Sequence, residues 1–585
     1  MENHYGNLLK TSWKYAYGYR KKMVLTYVMF VISNFIFMTA PYVLSRVLNQ
    51  IQIGGDGMMM RVTWLLLLYA SLDFWFWLFH GPARVMERTV AFYIVKNFNE
   101  DMFDIISKLP LKWHKDHHSG NTISRIRKAS DALKEFTNNN FDNIATIVRV
   151  FLSLGAIFFL LPKFGFLALG IGVSIVLMIF KFDKFLVATL DKTNEKTHIF
   201  ESTFFDYITN ITTVITLRLE KLAKNETIGK IQSIFPIWRK NIRVNEVKWF
   251  AMNMGLAAMT FIILFTYIYE RVSAGEAVMV GSLMALFQYT ERFSDTFYRL
   301  GWQYEQLVWR NTDIKTVNVI KKAYAKLNKK FLENFELGDW HKIQIKNLHF
   351  KYEDQKHLKH TLNAVNVDLE KGLKIAFVGE SGSGKSTLMT LIRGLEEAGR
   401  VIVDIDGNKF NSLKVISDTV TLIPQEPEIF ENTIKYNITA GIHHTNEELA
   451  EVCRLARFDS VLPRLPKGLK TDIKEKGVNL SGGEKQRLAL ARGIFAAKES
   501  QIILMDEPTS SVDSRNEIQI YKNLFEVFDD RCIIASVHRL NLLKMFDILY
   551  VFEKGKLIEK GDFGTLVKAG GLFQSMWHSY EKNKA

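Results

Sequence analysis

The feature that most constrains this chain is a series of long apolar runs in its first half. Met23–Ser45 contains no charged residue, and about 20 apolar residues are enough for a helix to cross a bilayer. Similar runs follow at Val62–Phe79, Phe141–Leu161, Phe164–Phe180, Trp249–Tyr269 and Ala277–Thr290. We therefore predict six membrane-spanning helices.

The gaps between these runs indicate how the chain crosses the membrane. The gaps after the second and fourth runs are long, charged and helical in pattern, and both are rich in Lys and Arg. Because cytoplasmic loops carry an excess of Lys and Arg, we expect both termini and both long loops inside. A net charge of +15 is then explained by basic loops beside lipid headgroups, and no nucleic-acid partner is expected.

The second half has the pattern of an α/β domain. "HKIQIKNLHFKYED" alternates like a strand, "LKIAFVGE" is a short apolar strand, and strands and helices then alternate to the end. We place a transmembrane domain at 1–325, a linker at 326–337 and the α/β domain at 338–585. The two cysteines, Cys453 and Cys532, argue against a disulfide framework or a cysteine-built metal site.

A phosphate-binding loop lies near the start of the α/β domain. "GESGSGKST", Gly379–Thr387, matches G-x-x-x-x-G-K-[ST] and sits between an apolar strand and a helix. Its glycines allow backbone N–H groups to surround phosphates, while Lys385 reaches the β- and γ-phosphates. The Ser386 hydroxyl is expected to ligate Mg²⁺.

A second strand of this domain ends in two acids. "IILMDEP", Ile502–Pro508, is apolar up to Asp506 and Glu507. At this distance after a phosphate loop, Asp506 is expected to hold Mg²⁺ and Glu507 to polarise an attacking water.

The stretch "NLSGGEKQRLALARG", Asn479–Gly493, predicts a second helix whose N-terminus could bind a phosphate. A helix that begins after Ser and Gly offers free N–H groups and a positive dipole end, both of which suit a phosphate. One domain that binds one nucleotide has no evident need of two such starts.

These motifs together resemble the nucleotide-binding domain of an ABC transporter. "LSGGE" resembles the family's signature LSGGQ, with Glu484 in place of Gln. "SSVD", ending at Asp513, resembles the D-loop, and "IPQEPEIF", with Gln425, resembles the Q-loop. "ASVHRL", with His538, resembles the switch segment, and "FKYED", with Tyr352, the adenine-stacking A-loop.

The first half resembles the membrane domain of a half-size exporter of the type IV fold. The resemblance implies a membrane α-helical domain, with six transmembrane helices and long cytoplasmic extensions, plus an α/β P-loop ATPase domain of the ABC type. It also implies short coupling helices at the tips of the two long loops, near Leu109–Asn121 and Glu201–Asn210.

The resemblance implies a working unit of two chains with ATP clamped between them. Ser481 and Gly483 of one copy would face the γ-phosphate held by the P-loop of the other. Glu507 would assist hydrolysis, and His538 would stabilise the γ-phosphate and its transition state. A homodimer is the simplest interpretation, and a heterodimer stays open.

The expected site residues follow by motif position. Catalytic roles are expected for Glu507, His538, Gln425 and Lys385. Mg²⁺ ligation is expected from Ser386, Gln425 and Asp506. ATP contacts are expected from Tyr352, Gly379, Glu380, Ser381, Gly382, Ser383, Gly384, Lys385, Ser386, Thr387, Gln425, Ser481, Gly482, Gly483, Asp506 and Asp513.

The substrate cavity is less constrained by the sequence. A charged residue inside a span is a functional candidate, and Asp73 falls near the middle of the second run. It is expected to line the cavity or to pair with a polar neighbour on another helix, and a third alternative is that the limits of this span are misplaced. His80 and Glu291 are further cavity candidates.

The predicted function is an ATP-hydrolysing exporter or flippase, integral to the cell (inner or plasma) membrane, that works by alternating access. An importer on the same fold and an ATP-gated channel or regulator remain alternatives. A soluble ABC ATPase of DNA repair carries the same signature, but the apolar runs argue against it. The transported substrate is not identified, and lipid, lipid-linked sugar, peptide and amphipathic drug all stay open.

Overall fold

A computed structural model describes residues 3–117, 119–326, 337–352, 361–426, 428–473 and 480–584. The chain forms two compact units, one of Met1–Lys108 and His118–Ala325, the other of Leu109–His117 and Lys326–Ala585. The predicted linker at 326–337 falls mostly on 327–336, outside the described residues. The predicted domain limits therefore stay a prediction.

The part of the chain up to residue 326 is helical. Its helices are α1 (His4–Tyr15), α2 (Arg20–Ile53), α3 (Met58–Ser107), α4 (Leu111–Asp116), α5 (Ser119–Asn138), α6 (Asn140–Leu160), α7 (Pro162–Thr209), α8 (Ile211–Thr216), α9 (Glu220–Gln232), α10 (Phe235–Ser273), α11 (Val280–Lys315) and α12 (Asn318–Ala325). α4 belongs to the second unit, and the others form the first. α3 has 50 residues, about 75 Å at 1.5 Å per residue, far more than a bilayer needs. The predicted long helical extensions are therefore present.

Five helical stretches of the described residues are long and apolar enough to cross a membrane. They are Arg20–Ile53, Met58–Ser107, Asn140–Leu160, Pro162–Phe182 and Glu220–Ser273, and they overlap the first five predicted runs. The sixth run falls on the start of α11, where Glu291, Arg292 and Asp295 soon follow. These charges make the helix less apolar than the other five, and the predicted count of six spans is not confirmed.

The two predicted loop tips have different outcomes. The first, Leu109–Asn121, contains the short helix α4. The second, Glu201–Asn210, was placed too early, because α7 continues unbroken to Thr209 and the short helix is α8. Asn210 ends α7 by leaving the helical backbone region, and its side chain donates to the Asp206 carbonyl at 3.0 Å. Asparagine competes with the helix for such backbone bonds.

The rest of the chain combines strands and helices. Its strands are β1 (Lys342–Phe350), β2 (Leu362–Glu370), β3 (Lys374–Gly379), β4 (Arg400–Ile405), β5 (Asn408–Phe410), β6 (Val420–Ile423), β7 (Ile502–Asp506), β8 (Cys532–Ser536), β9 (Ile548–Glu553) and β10 (Lys556–Gly561). Its helices are α13 (Lys385–Ile392), α14 (Lys414–Ser417), α15 (Ile434–Thr439), α16 (Asn446–Leu455), α17 (Gly482–Ala496), α18 (Ser514–Val527), α19 (Phe563–Lys568) and α20 (Leu572–Lys584).

The strands form two sheets. One is antiparallel, in the order β2-β1-β4-β5, and the other has the order β10-β9-β3-β8-β7-β6. In the second sheet β9, β3, β8, β7 and β6 run parallel. Because the carboxyl ends of parallel strands meet at one edge, the loops after β3, β6, β7 and β8 open on the same side. This sheet confirms the predicted α/β domain.

The core of the second unit lies on both faces of the larger sheet. On β3, Ile375 and Phe377 pack into one buried apolar cluster, while Ala376 and Val378 pack into the other. This alternation follows from the two-residue period of a strand. The sequence of a strand that is buried on both faces is therefore a continuous apolar run. The packing of β3 on both sides fixes the position of the loop that follows it.

Candidate nucleotide site

The predicted phosphate loop connects β3 to α13. Gly384 stands directly before α13 with φ +107°, and a Cβ there would lie 2.5 Å from Leu362 Cδ2. A Cβ on Gly379 would collide with the Phe552 carbonyl oxygen. Gly384 makes no side-chain cap, so the first N–H groups of α13 lack a capping side chain and are available to a ligand.

Two polar groups of this loop fit a phosphate. Lys385 is buried, and its Nζ donates to the carbonyl oxygens of Gly379 at 2.8 Å and Glu380 at 2.9 Å. Burial lowers the pKa of Lys385, and the nearby carboxylates oppose that shift. The buried Ser383 hydroxyl has no hydrogen-bond partner among the described residues. Buried polar groups are normally paired, so the unpaired Ser383 hydroxyl suits a phosphate oxygen, and Lys385 adds a positive charge beside it.

Two oxygen donors for a magnesium ion lie side by side. The Ser386 hydroxyl donates to Asp506 Oδ1 at 3.0 Å. Burial raises the pKa of Asp506, whereas the bond from Ser386 and the charge of Lys385 lower it. Mg²⁺ is held by oxygen ligands, commonly one or two from the protein with the rest from water and phosphate. The two residues therefore fit Mg²⁺ accompanying a nucleotide.

Glu507 is held by residues from two other loops. Gln425 Nε2 donates to Glu507 Oε2 at 2.8 Å, and His538 Nε2 lies 2.5 Å from Glu507 Oε1. The structure therefore brings together three of the four residues for which catalytic roles are predicted. Glu507 has φ +46°, a backbone strain of about 1–3 kcal/mol that is typical of functional sites.

Tyr352 lies beside the start of α13. Its hydroxyl is 3.4 Å from Thr387 Oγ1, and its ring meets Phe350 edge to face at 4.8 Å between centroids. The ring is half-buried and is held close to the phosphate loop. The residues that follow it in the predicted motif, Glu353 and Asp354, lie outside the described residues, as do Pro427 and Asn479.

The signature helix α17 begins with a closed cap. The Ser481 backbone N–H donates to Glu484 Oε2 at 2.8 Å, and the Glu484 N–H donates to Ser481 Oγ at 3.4 Å. This reciprocal pair is a capping box. Gly482 and Gly483 open the helix, and a Cβ on Gly483 would lie 2.8 Å from the Ser511 carbonyl oxygen.

The predicted D-loop is tied to this helix. Gln486 Nε2 donates to Ser510 Oγ at 2.7 Å, and the Ser511 N–H donates to Gln486 Oε1 at 2.6 Å. Asp513 caps α18, since its Oδ1 accepts the Asn516 N–H at 3.0 Å, and this bond lowers the pKa of Asp513. A direct contact of Asp513 with ATP stays a prediction.

The N-termini of α13 and α17, the two predicted phosphate-binding helix starts, do not contact each other through the polar interactions of the described residues. Among the described residues, no hydrogen bond or ion pair links Ser481–Gly483 to Gly379–Thr387. Sequence reasoning missed the ion pair of Arg464 with Glu484 and the role of Gln486. Gln486 lies in the quoted motif, whereas the Arg464 pairing has no signal in the linear sequence.

A cavity of the first unit lies between α10 and α11. It has a volume of about 710 Å³, and its polar lining residues are Asn253, Thr260, Glu291, Ser294, Asp295 and Tyr298. Glu291 is thus the one predicted cavity residue on this wall. Asp73 is exposed on α3, and the His80 ring stacks on Phe76 at 4.8 Å. Asp73 and His80 are not among the residues that line this cavity, and the role of all three residues stays a prediction.

Two family models match the chain. Residues 362–510 match the ABC transporter model, and residues 23–290 match the model of the ABC transporter transmembrane region. Together they cover more than half of the chain, in the order predicted from the sequence. The ABC transporter domain implies ATP binding.

Curated relatives match the chain over different lengths. P-glycoprotein 14 of Caenorhabditis elegans is 36% identical over 235 residues, which cover 40% of this chain and 18% of that protein. The putative ABC transporter ATP-binding protein exp8 of Streptococcus pneumoniae is 25% identical over 504 residues, covering 85% of this chain and 84% of that protein. The chain therefore spans less than two thirds of the length of some relatives that it matches.

A solved structure shares the whole architecture. A bacterial Atm1-family ABC exporter with ATP bound superposes with a TM-score of 0.83 at 21% identity, over 96% of this chain and 98% of the other. At this identity the likeness concerns the fold. With both family models matched in sequence order, the chain belongs to the ABC transporters, as a half-subunit in which a membrane region of the exporter-type fold is fused to a C-terminal nucleotide-binding domain.

Proposed function

We propose that two copies of this chain form an ATP-driven exporter or lipid flippase. The observation that carries this proposal is the presence of two different half-sites in one unit. One is the open start of α13 with the buried Lys385, and the other is the capped start of α17 at Ser481. No hydrogen bond joins them within the described residues. A second copy can place its Ser481 and Gly483 on the γ-phosphate bound at the first copy's Lys385.

The roles of the site residues follow from their chemistry. When bound, Mg²⁺ supplies positive charge that offsets the charge of the phosphates. Lys385 exchanges its loop carbonyl partners for β- and γ-phosphate oxygens. Glu507 orients a water for attack while Gln425 holds its carboxylate, and His538 moves to the γ-phosphate and stabilises it and its transition state. Most of the rate enhancement then comes from positioning and charge stabilisation.

The hydrolysis cycle is proposed to drive alternating access. Because ATP binds the closed pair of nucleotide-binding domains better than the open pair, it shifts the population toward the closed state. The short helices α4 and α8 are the candidates for passing this change to the membrane helices. We place the protein in the cell membrane, with both termini and the ATPase domain cytoplasmic, in line with the basic loops.

A complementation experiment tests the shared site. Lys385→Ala and Ser481→Arg chains, each expected to be inactive alone, are mixed and reconstituted in nanodiscs. In a mixed dimer, one site combines both defects and the other is intact, so ATP occlusion and part of the turnover should return. If each chain used its own two motifs, every site would carry one defect and no activity would return.

The matched control places both substitutions in one chain. A dimer of this double variant with wild type has a defect in each shared site, so it should stay inactive. Recovery in this control, or its absence in the mixture of single variants, contradicts the shared site.

The direction of transport needs sealed vesicles. Inside-out vesicles supplied with external ATP should accumulate a cargo that stimulates ATPase activity. Candidate lipids, peptides and amphipathic drugs are screened first by that stimulation in nanodiscs. Expulsion of preloaded cargo under the same conditions would identify an importer instead.

A further inference from the structure

A groove at the start of the membrane domain is positively charged at one end and apolar along its length. It encloses about 410 Å³ between α1 and α2. Its lining residues are Trp13, Arg20, Lys21, Val24, Leu25 and Val28. All of them belong to the first unit, and none takes part in the nucleotide site.

The charged end is built by a contact between the two helices. Arg20 Nε donates to the Trp13 carbonyl oxygen at 3.3 Å, and the Arg20 guanidinium lies 5.2 Å from the centroid of the Trp13 ring. Among the described residues, neither Arg20 nor Lys21 makes an ion pair. Two cations therefore stand at the mouth of the groove without a carboxylate from those residues to neutralise them.

The apolar part of the groove follows α2 into the membrane. Val24, Leu25 and Val28 are each about half exposed, at 48%, 50% and 49%. At 1.5 Å per residue, Val28 lies about 12 Å beyond Arg20 along the helix axis. This length separates the headgroup level of a bilayer from the upper part of its acyl chains. The order of residues along α2 thus matches a lipid from phosphate to hydrocarbon.

We propose that this groove binds one anionic phospholipid of the cytoplasmic leaflet. Its phosphate lies against Arg20 and Lys21, and an acyl chain lies along Val24, Leu25 and Val28. The Trp13 ring occupies the interfacial level, where tryptophan is enriched. The cytoplasmic leaflet holds the anionic lipids that attract such juxtamembrane cations.

The ligand is connected to the rest of the membrane domain through α1. The Tyr15 hydroxyl donates to Asp101 Oδ2 at 2.7 Å, and Asn97 Nδ2 donates to the Tyr15 carbonyl oxygen at 2.9 Å. α1 is thereby fastened to α3 by residues outside the groove. A bound lipid would contact both α1 and α2, and α1 is already bonded to α3, so the lipid would add a connection among these three helices.

Native mass spectrometry of the full chain tests the site. The protein is taken from nanodiscs of equal parts phosphatidylglycerol and phosphatidylcholine, and the lipids that stay bound are counted. We expect one phosphatidylglycerol per chain to survive where phosphatidylcholine is lost. Lys21→Gln, which leaves the Arg20–Trp13 contact in place, should lower its retention about fivefold, and Arg20→Gln with Lys21→Gln about 25-fold.

The matched control is Lys10→Gln with Lys22→Gln, which removes the same charge near the same helices but outside the groove. It should retain the lipid. An equal loss in the control, or equal retention of phosphatidylcholine, would overturn the site. Displacement of the lipid by inorganic phosphate would assign the cations to a free anion and overturn it as well. None of these readouts requires ATP or a dimer.

Discussion

α13 and α17 both begin at Ser- and Gly-rich sequences, yet their first turns are built differently. α13 follows Gly384, which offers no capping side chain, with the buried Lys385 directly behind. α17 follows Ser481, whose side chain and backbone N–H form a capping box with Glu484. A helix start binds phosphate only to the extent that its N–H groups are free. α13 can therefore form the main cradle, whereas α17 supplies a secondary contact, as the proposed shared site requires.

The largest expected effect separates binding from chemistry at the α13 site. Glu507→Gln should lower ATP turnover about 10²- to 10⁴-fold, the usual contribution of a positioned acid–base group. It should retain ATP binding and trap a closed dimer, measured by mass photometry with ATP. Glu526→Gln on the exposed face of α18 is the control. Unchanged turnover in Glu507→Gln would remove Glu507 from its proposed role.

The next effect tests whether the N-terminus of α13 is the main phosphate-binding site. Gly384→Ala forces an L residue into φ +107° and against Leu362, so the loop should lose its phosphate-binding shape. At 100 times its Kd, ATP should stabilise the wild type by about 2.7 kcal/mol, and the rise in Tm should vanish in the variant. Gly338→Ala, which has open space around its Cβ, should respond like the wild type. A normal ATP response of Gly384→Ala would contradict the cradle.

A smaller effect is expected at the α17 start, where the proposed shared site would bring the γ-phosphate close to the Glu484 carboxylate. Burial opposes its charge, but hydrogen bonds from Ser481 and the charge of Arg464 lower the pKa of Glu484. Arg464→Ala should raise the KM for ATP about fivefold with little change in kcat, since an ion pair whose Arg464 partner is exposed contributes up to about 1 kcal/mol.

The ion pair between Arg464 and Glu484 provides the control for this prediction. In a Glu484→Gln background the carboxylate is absent, so Arg464→Ala should no longer change KM, and Arg464→Lys should keep most of the wild-type value. An equal rise in KM in both backgrounds would show that Arg464 acts independently of Glu484.

The smallest effect concerns a third helix start, which is capped by Asp513. Asp513→Ala should cost α18 about 1 kcal/mol, or about 2–4 °C in Tm by differential scanning fluorimetry, while Asp513→Asn should keep most of the cap. Because the Asn516 N–H lowers the pKa of Asp513, the contribution of its charge is present above about pH 4 and is lost as the pH falls through the lower folded-state value. The advantage in Tm of the wild type over the Asp513→Asn variant should therefore shrink on acidification, and an advantage that grows would contradict this sign.

Features set by neighbouring residues were predicted well. The phosphate loop is a local pattern of strand, glycines and helix, and the structure has this loop between β3 and α13. The roles of Lys385 and Ser386 stay predictions. The first five apolar runs lie in helices, because an apolar stretch of that length that crosses a membrane must satisfy its backbone hydrogen bonds internally. The sixth predicted span is not confirmed, since Glu291, Arg292 and Asp295 enter α11 about three turns after its start.

Features that depend on distant residues were missed or misplaced. The second loop tip was set about ten residues too early, because nothing before Asn210 shows where α7 stops. Arg464 and Glu484 are 20 positions apart, and the intervening fold alone brings them into contact.

The sequence by itself determined the class of this protein, since a lysine phosphate loop, a signature helix and long apolar runs each follow from local chemistry. The tertiary structure decided which groups meet. The parallel order β3-β8-β7-β6 brings the loops holding Lys385, His538, Glu507 and Gln425 to one edge of a sheet. It also decided that side chains cap the first turn of α17 but not that of α13. Capping depends on backbone angles and on the reach of side chains, and the spacing of residues in the sequence does not specify either.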